Sequence, residues 1–171
     1  MEAIQALETR RSIRAYKPEM PERELLDKVT TAGTYAPTGM GTQSPLIVVV
    51  EDKTTRDELS EMNREILGWD QDPFYGAPCI IVVLADKSAP TWMQDGCLVM
   101  GNLMNAAHAV GLSSCWIHRA KQVFDSPRGK ELLKQWGITG DYEGIGHVAI
   151  GYPAAPDPEP KPRKADYVRY V

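Results

Sequence analysis

The stretch Leu46-Ile47-Val48-Val49-Val50 is a continuous run of apolar, mostly β-branched residues that follows a loop rich in glycine, threonine and proline. Such a run predicts a β-strand that is buried on both faces. Cys79 to Ala85 is a second run of the same kind. A third strand is predicted after Gly111, at Ser113 to Ile117, and a fourth at Gly146 to Tyr152. The sequence therefore predicts a sheet of four strands at the centre of the protein.

Helical patterns separate these strands. Segments with apolar residues at helical spacing, or with helix-starting residues, are predicted at 4–10, 21–34, 54–67, 91–110 and 128–136. The segment 54–67 is polar and is predicted to face solvent. The segment 91–110 is the longest and contains Gly96 and Gly101, which cost helix stability unless another backbone packs closely against them. This segment is expected to form a central helix in the core or at a subunit interface.

The C-terminal residues 153–171 differ from the rest of the chain. Five prolines fall within ten residues, at Pro153, Pro156, Pro158, Pro160 and Pro162. This spacing predicts an extended path, because proline cannot continue a helix or a central strand. The arm ends in Tyr167-Val168-Arg169-Tyr170-Val171, which suits an added strand. It is therefore either a solvated tail or an arm that docks on a second subunit.

Composition limits the class of protein. A chain of 171 residues, 43% hydrophobic and 25% charged, can bury one sizeable core, so a single domain over 1–171 is expected. A net charge of -4 argues against nucleic acid as a partner. No apolar run approaches the ~20 residues of a membrane span, and Glu2 and Glu8 do not fit a secretion signal. Three unclustered cysteines, expected in apolar surroundings, favour a cytoplasmic location.

Familiar catalytic motifs do not fit. Gly39-Met40-Gly41 and Gly144-Ile145-Gly146 both lead into predicted strands, whereas a dinucleotide fingerprint leaves a strand and opens a helix. The three histidines are isolated from one another, so no metal site is predicted. Cys115 with His118 is a weak candidate for a nucleophile and its base, because residues three apart in a strand point to opposite faces.

Two cationic clusters lie near the ends of the chain. Arg10, Arg11, Ser12 and Arg14 form the first, and the segment 161–164, Lys-Pro-Arg-Lys, forms the second. Guanidinium groups bind phosphate through two parallel hydrogen bonds, and a hydroxyl adds a donor. The clusters are either two halves of one anion site or two solvated surface patches.

Taken together, several motifs resemble the FMN-dependent nitroreductase family. They are Thr9-Arg10-Arg11-Ser12-Ile13-Arg14-Ala15-Tyr16, Ala36-Pro37-Thr38-Gly39, Gln43-Ser44-Pro45, Gly111-Leu112-Ser113-Ser114-Cys115-Trp116-Ile117, Gly146-His147, Gly151-Tyr152-Pro153 and Lys161-Pro162-Arg163. The resemblance covers essentially the whole chain. It implies an α+β fold with a mixed central sheet wrapped by helices. It also implies a homodimer with FMN at its interface and an exchanged C-terminal arm.

The resemblance also implies roles for individual residues. Arg10, Arg11 and Ser12 would approach the ribityl phosphate of FMN, and Lys161 and Arg163 would close the same site. A further set would surround the flavin ring: Arg14 near N1 and O2; Pro37, Thr38, Gly39, Gly41 and Gln43 from the loop of the partner subunit; and Cys115, Trp116 and Ile117 near N5 and O4. The chemistry would take place on the flavin, with no catalytic side chain.

The implied function is a flavoenzyme that takes hydride from NADH or NADPH and reduces nitroaromatics, quinones or similar conjugated acceptors in two half-reactions. Two alternatives stay open: another FMN reaction on this fold, such as dehalogenation or substrate oxidation, and a non-enzymatic flavin-storage dimer. The chain has Gly41, Leu46 and His118 where the family often has asparagine, tryptophan and glycine. These three differences leave the substrate range open.

Overall fold

The computed structural model describes residues 1–171, with one four-stranded sheet at the centre. The strands are β1 (Pro45–Val50), β2 (Cys79–Asp86), β3 (Ser113–Ile117) and β4 (Tyr142–Gly151). Their order is β1-β2-β4-β3, and each neighbouring pair is antiparallel. Parallel pairing is confined to one bridge between Ser12 and Ser114. The α+β class is confirmed, with a sheet more antiparallel than the resemblance implies.

Six helices surround the sheet. They are α1 (Ala3–Thr9), α2 (Arg23–Thr34), α3 (Lys53–Leu67), α4 (Trp92–Ala109), α5 (Ala120–Asp125) and α6 (Pro127–Gln135). Five of them agree with the predicted segments to within two residues. The short helix α5 was not predicted, because six residues give too little periodicity for a helical pattern to emerge.

The helices form a layer on each face of the sheet. Side chains alternate between the two faces along a strand. On one face Ile81 and Val83 of β2 pack with buried side chains of α2 and α4. On the other face Ile80 and Val82 pack with buried side chains of α3, α5 and α6. The prediction that β2 is buried on both faces is therefore confirmed.

The same prediction is only partly right for β1, whose side chains pack against the hydrophobic clusters on both faces of the sheet but are mostly half-buried. This strand lies at the edge of the sheet and pairs only with β2. Only Val50 is buried, whereas Leu46 to Val49 are half-buried. A run of β-branched residues marks a strand, but its place in the sheet depends on which strands pair beside it.

The face of α4 that carries Leu98 and Gly101 is uncovered in the single chain. A Cβ atom added at Gly96 would lie 2.5 Å from Cγ1 of Ile145, so this glycine permits close packing, although by a side chain and not by the backbone that was predicted. At Gly101 no atom lies within 4 Å of an added Cβ. Met93 and Leu98 are about half exposed, at 49% and 47%. This helix is therefore central on one side and open on the other.

The three cysteines differ in their exposure to solvent. Cys79 and Cys115 are buried free thiols, as expected, and burial raises the pKa of Cys79 to about 12. Cys97, on the open face of α4, is exposed, so the expectation of apolar surroundings is wrong for it.

Asp72 anchors the loop 68–78. Its carboxylate accepts hydrogen bonds from the Arg56 guanidinium and the Ser60 hydroxyl, and from the backbone N–H groups of Phe74 and Gly76. Phe74 is fully buried in the core. The polar face of α3 is thus partly buried beneath this loop, rather than wholly exposed to solvent as predicted. The loop is packed as an integral part of the fold.

The arm 153–171 is exposed beyond its first residues. A backbone hydrogen bond from Ala154 to Ala15 ties its start to the domain, and the rest forms no strand in the single chain. None of the helices combines the length and hydropathy that crossing a bilayer requires.

Candidate functional site

The segment that carries the first arginine cluster lies along β3. The backbone N–H of Ile13 donates to the carbonyl of Ser114 over 3.1 Å, and Ser12 forms a bridge with the same residue. This pairing places the cluster beside Cys115. Burial raises the pKa of the Cys115 thiol, and the nearby positive charge of Arg14 opposes that shift. The cluster is therefore a cationic edge of the sheet, and the buried thiol remains protonated rather than acting as a nucleophile.

Two donors in this segment have no partner. Nη1 of Arg10 and Oγ of Ser114 are both shielded from solvent, and neither makes a hydrogen bond. Buried polar groups are nearly always paired, so an unpaired guanidinium nitrogen in the arginine segment and an unpaired hydroxyl on β3, the strand to which that segment is bonded, favour an anionic ligand. Arg11 differs, because its Nη1 donates to the carbonyls of Glu8 and Arg10, each over 2.8 Å.

Arg14 is exposed and faces an aromatic ring. Its guanidinium carbon lies 6.0 Å from the ring centre of Tyr75, within the range of a cation–π contact. Tyr75 has a positive φ of 57°, and the loop that holds it is anchored through Asp72. Sequence reasoning did not identify Tyr75 as a neighbour of the site. No local signal predicts it, because 61 positions separate the two side chains, which only the folded chain brings together.

Asp95 holds the glycine-rich loop in place. Its Oδ1 accepts the backbone N–H of Gly39 over 3.0 Å. Its Oδ2 accepts the hydroxyls of Ser44 and Thr91 over 3.0 and 3.1 Å. Asp95 itself is buried. Sequence reasoning overlooked it, although a lone carboxylate in the first turn of an apolar helix is a usable signal of a loop or cap contact.

The loop itself is shaped by its backbone. Met40, Gly41 and Gln43 all have positive φ angles, of 53°, 68° and 51°. The hydroxyl of Thr38 accepts the backbone N–H of Gln43 over 3.1 Å and closes the turn. Pro37, Gly41 and Gln43 are exposed as a result. The loop presents its outer surface to whatever lies beyond the single chain.

The loop and the arginine cluster lie at opposite ends of α4. The loop is bonded to Asp95, in the first turn, whereas Oγ1 of Thr9, next to Arg10, lies 2.8 Å from Nε2 of His108 in the last turn. Thirteen positions separate Asp95 from His108, which corresponds to about 20 Å along a helix. One chain therefore does not bring the loop to its own arginine cluster.

The second cationic cluster, on the arm, does not contact the first cluster in the single chain. Lys161 and Arg163 are exposed on the arm. The guanidinium of Arg163 donates only to the carbonyl of Lys161, over 2.8 Å. Among the residues named by the sequence, the structure of one chain thus gathers Arg10, Ser12 and Arg14 beside β3.

The backbone of β3 completes this site. Cys115 and Ile117 are buried and point toward α5, whereas Trp116 is half-buried and points toward α4. Their side chains therefore belong largely to the core. What this stretch offers a ligand is the strand backbone and the partly exposed indole.

The sequence pattern of the nitroreductase family matches residues 7–68 and 63–152. The chain belongs to this family. A crystal structure of a Bacteroides fragilis nitroreductase with bound FMN is similar with a TM-score of 0.90, 25% identity, and coverage of 100% of this chain and 99% of that one. The motif resemblance is thereby confirmed at the level of the family.

Two curated relatives show the range of this family. A Methanothermobacter thermautotrophicus protein, provisionally named NADH dehydrogenase/NAD(P)H nitroreductase, is 29% identical over 68% of this chain. This chain spans 60% of the length of that relative. Iodotyrosine deiodinase of Thermotoga neapolitana is 26% identical over 94% of this chain and 93% of its own length. The two relatives are thus named for different reactions, nitroreduction and deiodination.

Proposed function

We propose that this protein is an FMN-dependent oxidoreductase that oxidises NADH or NADPH and reduces nitroaromatic, quinone or similar conjugated acceptors. Membership of the nitroreductase family and the FMN-bound B. fragilis nitroreductase support the proposal. The observation that carries it is the pair of unfilled donors, Nη1 of Arg10 and Oγ of Ser114, on the cationic edge of the sheet.

The phosphate of FMN fits this edge. Arg10 and Ser12 of the domain, with the backbone-held Arg11, would surround it, and Lys161 and Arg163 of an arm would close the site. A phosphate supplies acceptor oxygens that satisfy the unfilled guanidinium nitrogen and hydroxyl. Because these two donors are already shielded from water, the protein loses little further hydration at them when the phosphate binds.

When bound at this site, FMN would supply two-electron redox chemistry between the nicotinamide and the acceptor. Arg14 would stand near N1 and O2, where its charge stabilises the negative charge of the reduced ring. Tyr75 limits the conformations of this exposed side chain. The strand from Cys115 to Ile117 would offer backbone groups near N5 and O4. The protein would orient the flavin and the substrate, exclude water and supply positive charge, and it would supply neither a proton nor a nucleophile.

The site is complete only in a dimer under this proposal. The loop with Pro37, Thr38, Gly39, Gly41 and Gln43 would cover the ring bound to the partner subunit. Its separation from the arginine cluster of its own chain, about 20 Å along α4, supports this arrangement. The open face of α4 would form the interface, and the arm 153–171 of this single-domain chain would dock on the partner. The free cysteines fit a cytoplasmic location.

The decisive experiment is anaerobic. The FMN-reconstituted protein is mixed with NADH or NADPH, and the visible absorbance of the flavin is followed. Rapid bleaching, followed by recovery when a nitroarene or quinone is added, is expected. Bound flavin that stays oxidised would reject nicotinamide-driven reduction and favour substrate oxidation or storage. A colourless protein that takes up no FMN would reject the flavin proposal itself.

Reductive dehalogenation is the second candidate, because the similarity to iodotyrosine deiodinase extends over nearly both chains. One sample of the reduced protein is mixed with a nitroarene and a second sample with an aryl iodide. Reoxidation of the flavin, the reduced nitroarene and the free iodide are measured. Release of iodide in proportion to reoxidised flavin would favour dehalogenation, and reoxidation by the nitroarene alone would favour the first proposal.

A further inference from the structure

A cavity lies just beyond the end of β3. It has a volume of about 170 Å³, is partly open to solvent, and is lined by the first turns of α4, the residues that follow β3 and the start of β4. An engineered cavity of about 150 Å³ in another protein binds benzene. The space here is therefore of the size that holds one six-membered ring with a small substituent.

The walls of the cavity are largely aromatic and apolar. Trp92 comes from α4, Trp116 from β3 and Ile145 from β4. Met93 of α4 also lines the cavity, and it belongs to the open face of α4 that would form the dimer interface. Indole rings bind aromatic ligands through stacked or edge-to-face contacts, which add to the gain from burying apolar area. These walls favour a flat aromatic ligand over a flexible polar one.

The polar wall of the cavity contains an arginine without a partner. Arg119 forms no ion pair, and its Nε is shielded from solvent without a hydrogen bond. Burial lowers the pKa of Arg119, but an arginine remains charged at neutral pH. His118, exposed beside it, offers a second nitrogen at the mouth.

The other charged groups of the cavity are already paired. Nζ of Lys121 lies 2.6 Å from Oε2 of Glu143 and 3.1 Å from Oδ2 of Asp125. Nζ of Lys130 lies 3.9 Å from Oδ1 of Asp125, so two lysines balance the two carboxylates and this group as a whole carries no net charge. Arg119 is therefore the cation of this cavity that is free to bind a negatively charged ligand.

We propose that this cavity binds a single-ring aromatic compound that carries a carboxylate, with the ring among Trp92, Trp116 and Ile145 and the carboxylate at Arg119. Trp116 belongs both to this cavity and to the strand that would face the flavin. We therefore infer that aromatic acids are the substrate class of the proposed reductase. The assignment of these compounds as substrates rests on the proposed function.

Binding is tested without electron transfer. The FMN-reconstituted protein, in its oxidised form and without nicotinamide, is titrated by calorimetry with benzoate and with benzamide, a neutral compound of nearly the same shape. Benzoate is expected to bind about tenfold more tightly, the effect of a charged hydrogen bond. Equal affinities, or no binding of either compound at millimolar concentration, would overturn the proposal.

Variants separate the role of Arg119 from a general effect of charge. R119Q is expected to abolish the preference for benzoate, R119K to keep part of it, and K134Q, at an exposed lysine of α6, to leave it unchanged. A preference retained in R119Q would overturn the proposal. If R119Q unfolds, as its melting temperature reports, R119K and the wild-type comparison still decide the result. A preference for benzoate in a protein whose flavin stays oxidised with NADH and NADPH would uphold the cavity and reject the proposed function.

Discussion

The carboxylate of Asp95 accepts the backbone N–H of Gly39, with Oδ1 and the amide nitrogen 3.0 Å apart. This hydrogen bond links the start of α4 to the glycine-rich loop. The same carboxylate accepts the hydroxyls of Ser44 and Thr91, so one buried group satisfies three donors. The position of the loop thus depends on a side chain 56 residues away in sequence.

Asp95→Ala would leave those three donors without their acceptor. We expect it to lower the free energy of unfolding by about 1–3 kcal/mol, the cost of unsatisfied groups at a buried site. FMN affinity should fall as well, because in the proposed function this loop covers the flavin and would lose its anchor. Urea denaturation and flavin titration measure the two effects.

Asp141→Ala is the control for the Asp95 variant. Its ion pair with Lys87 is largely exposed, so a change within about 0.5 kcal/mol is expected. Equal stability of the two variants would show that the carboxylate of Asp95 does not hold the loop.

Arg10→Ala and Arg163→Ala test the phosphate site. Each variant should weaken FMN binding by about 1.5–3 kcal/mol, the range for a charged hydrogen bond, with little effect on folding. Equilibrium dialysis against FMN gives the affinities, and Lys134→Ala provides an exposed control on α6. If both arginine variants bind FMN as tightly as the control, the clusters are solvated surface patches.

Substitutions at two glycines of α4 are expected to change the stability of the fold in opposite directions. Gly96→Ala forces a Cβ against Ile145 and should destabilise the fold by about 1–3 kcal/mol. At Gly101 the space within the chain is open, so alanine should stabilise the helix by up to ~1 kcal/mol unless a partner subunit packs there. Thermal denaturation measures the first effect, and analytical ultracentrifugation measures whether Gly101→Ala or the bulkier Gly101→Leu dissociates a dimer. A dimer that is insensitive to both changes at Gly101 would place the interface elsewhere.

His147 should make the fold sensitive to acid. Its ring is fully buried between Phe74 and Phe124, and burial lowers its pKa from 6.5 to about 3. The unfolded chain therefore binds a proton at a higher pH than the folded chain. The stabilisation from neutral His147 is complete above pH 6.5 and declines by up to about 1.4 kcal/mol per unit as the pH falls toward 3.

His147→Leu removes that titration and keeps an apolar side chain of similar size. The difference in stability between wild type and variant, measured by urea denaturation at neutral pH and at pH 5, should shift in favour of the variant in acid. Parallel loss of stability in the two proteins over this interval would assign the acid sensitivity to other groups.

Local pattern predicted most of the secondary structure. The burial of β2 follows from a run of β-branched residues, and five helices follow from apolar spacing and helix-starting residues. The bounds of β3 agree with the strand predicted after Gly111. The short helix α5 and the edge position of β1 did not follow. The six residues of α5 are too few for a periodic pattern, and the edge position of β1 depends on long-range strand pairing, which a short stretch of sequence does not encode.

The sequence by itself determined the composition of the site: a cationic segment at 10–14, a glycine-rich loop, a strand at 113–117 and a basic arm, in the order that resembles the nitroreductase family. Only the tertiary structure decided their geometry. It paired the cationic segment with β3, bonded the loop to Asp95 and left Arg119 unpaired at the wall of a cavity. The physical reason is that residue types and spacings follow from local chemistry, whereas distances between distant segments follow from how the sheet and helices pack as a whole.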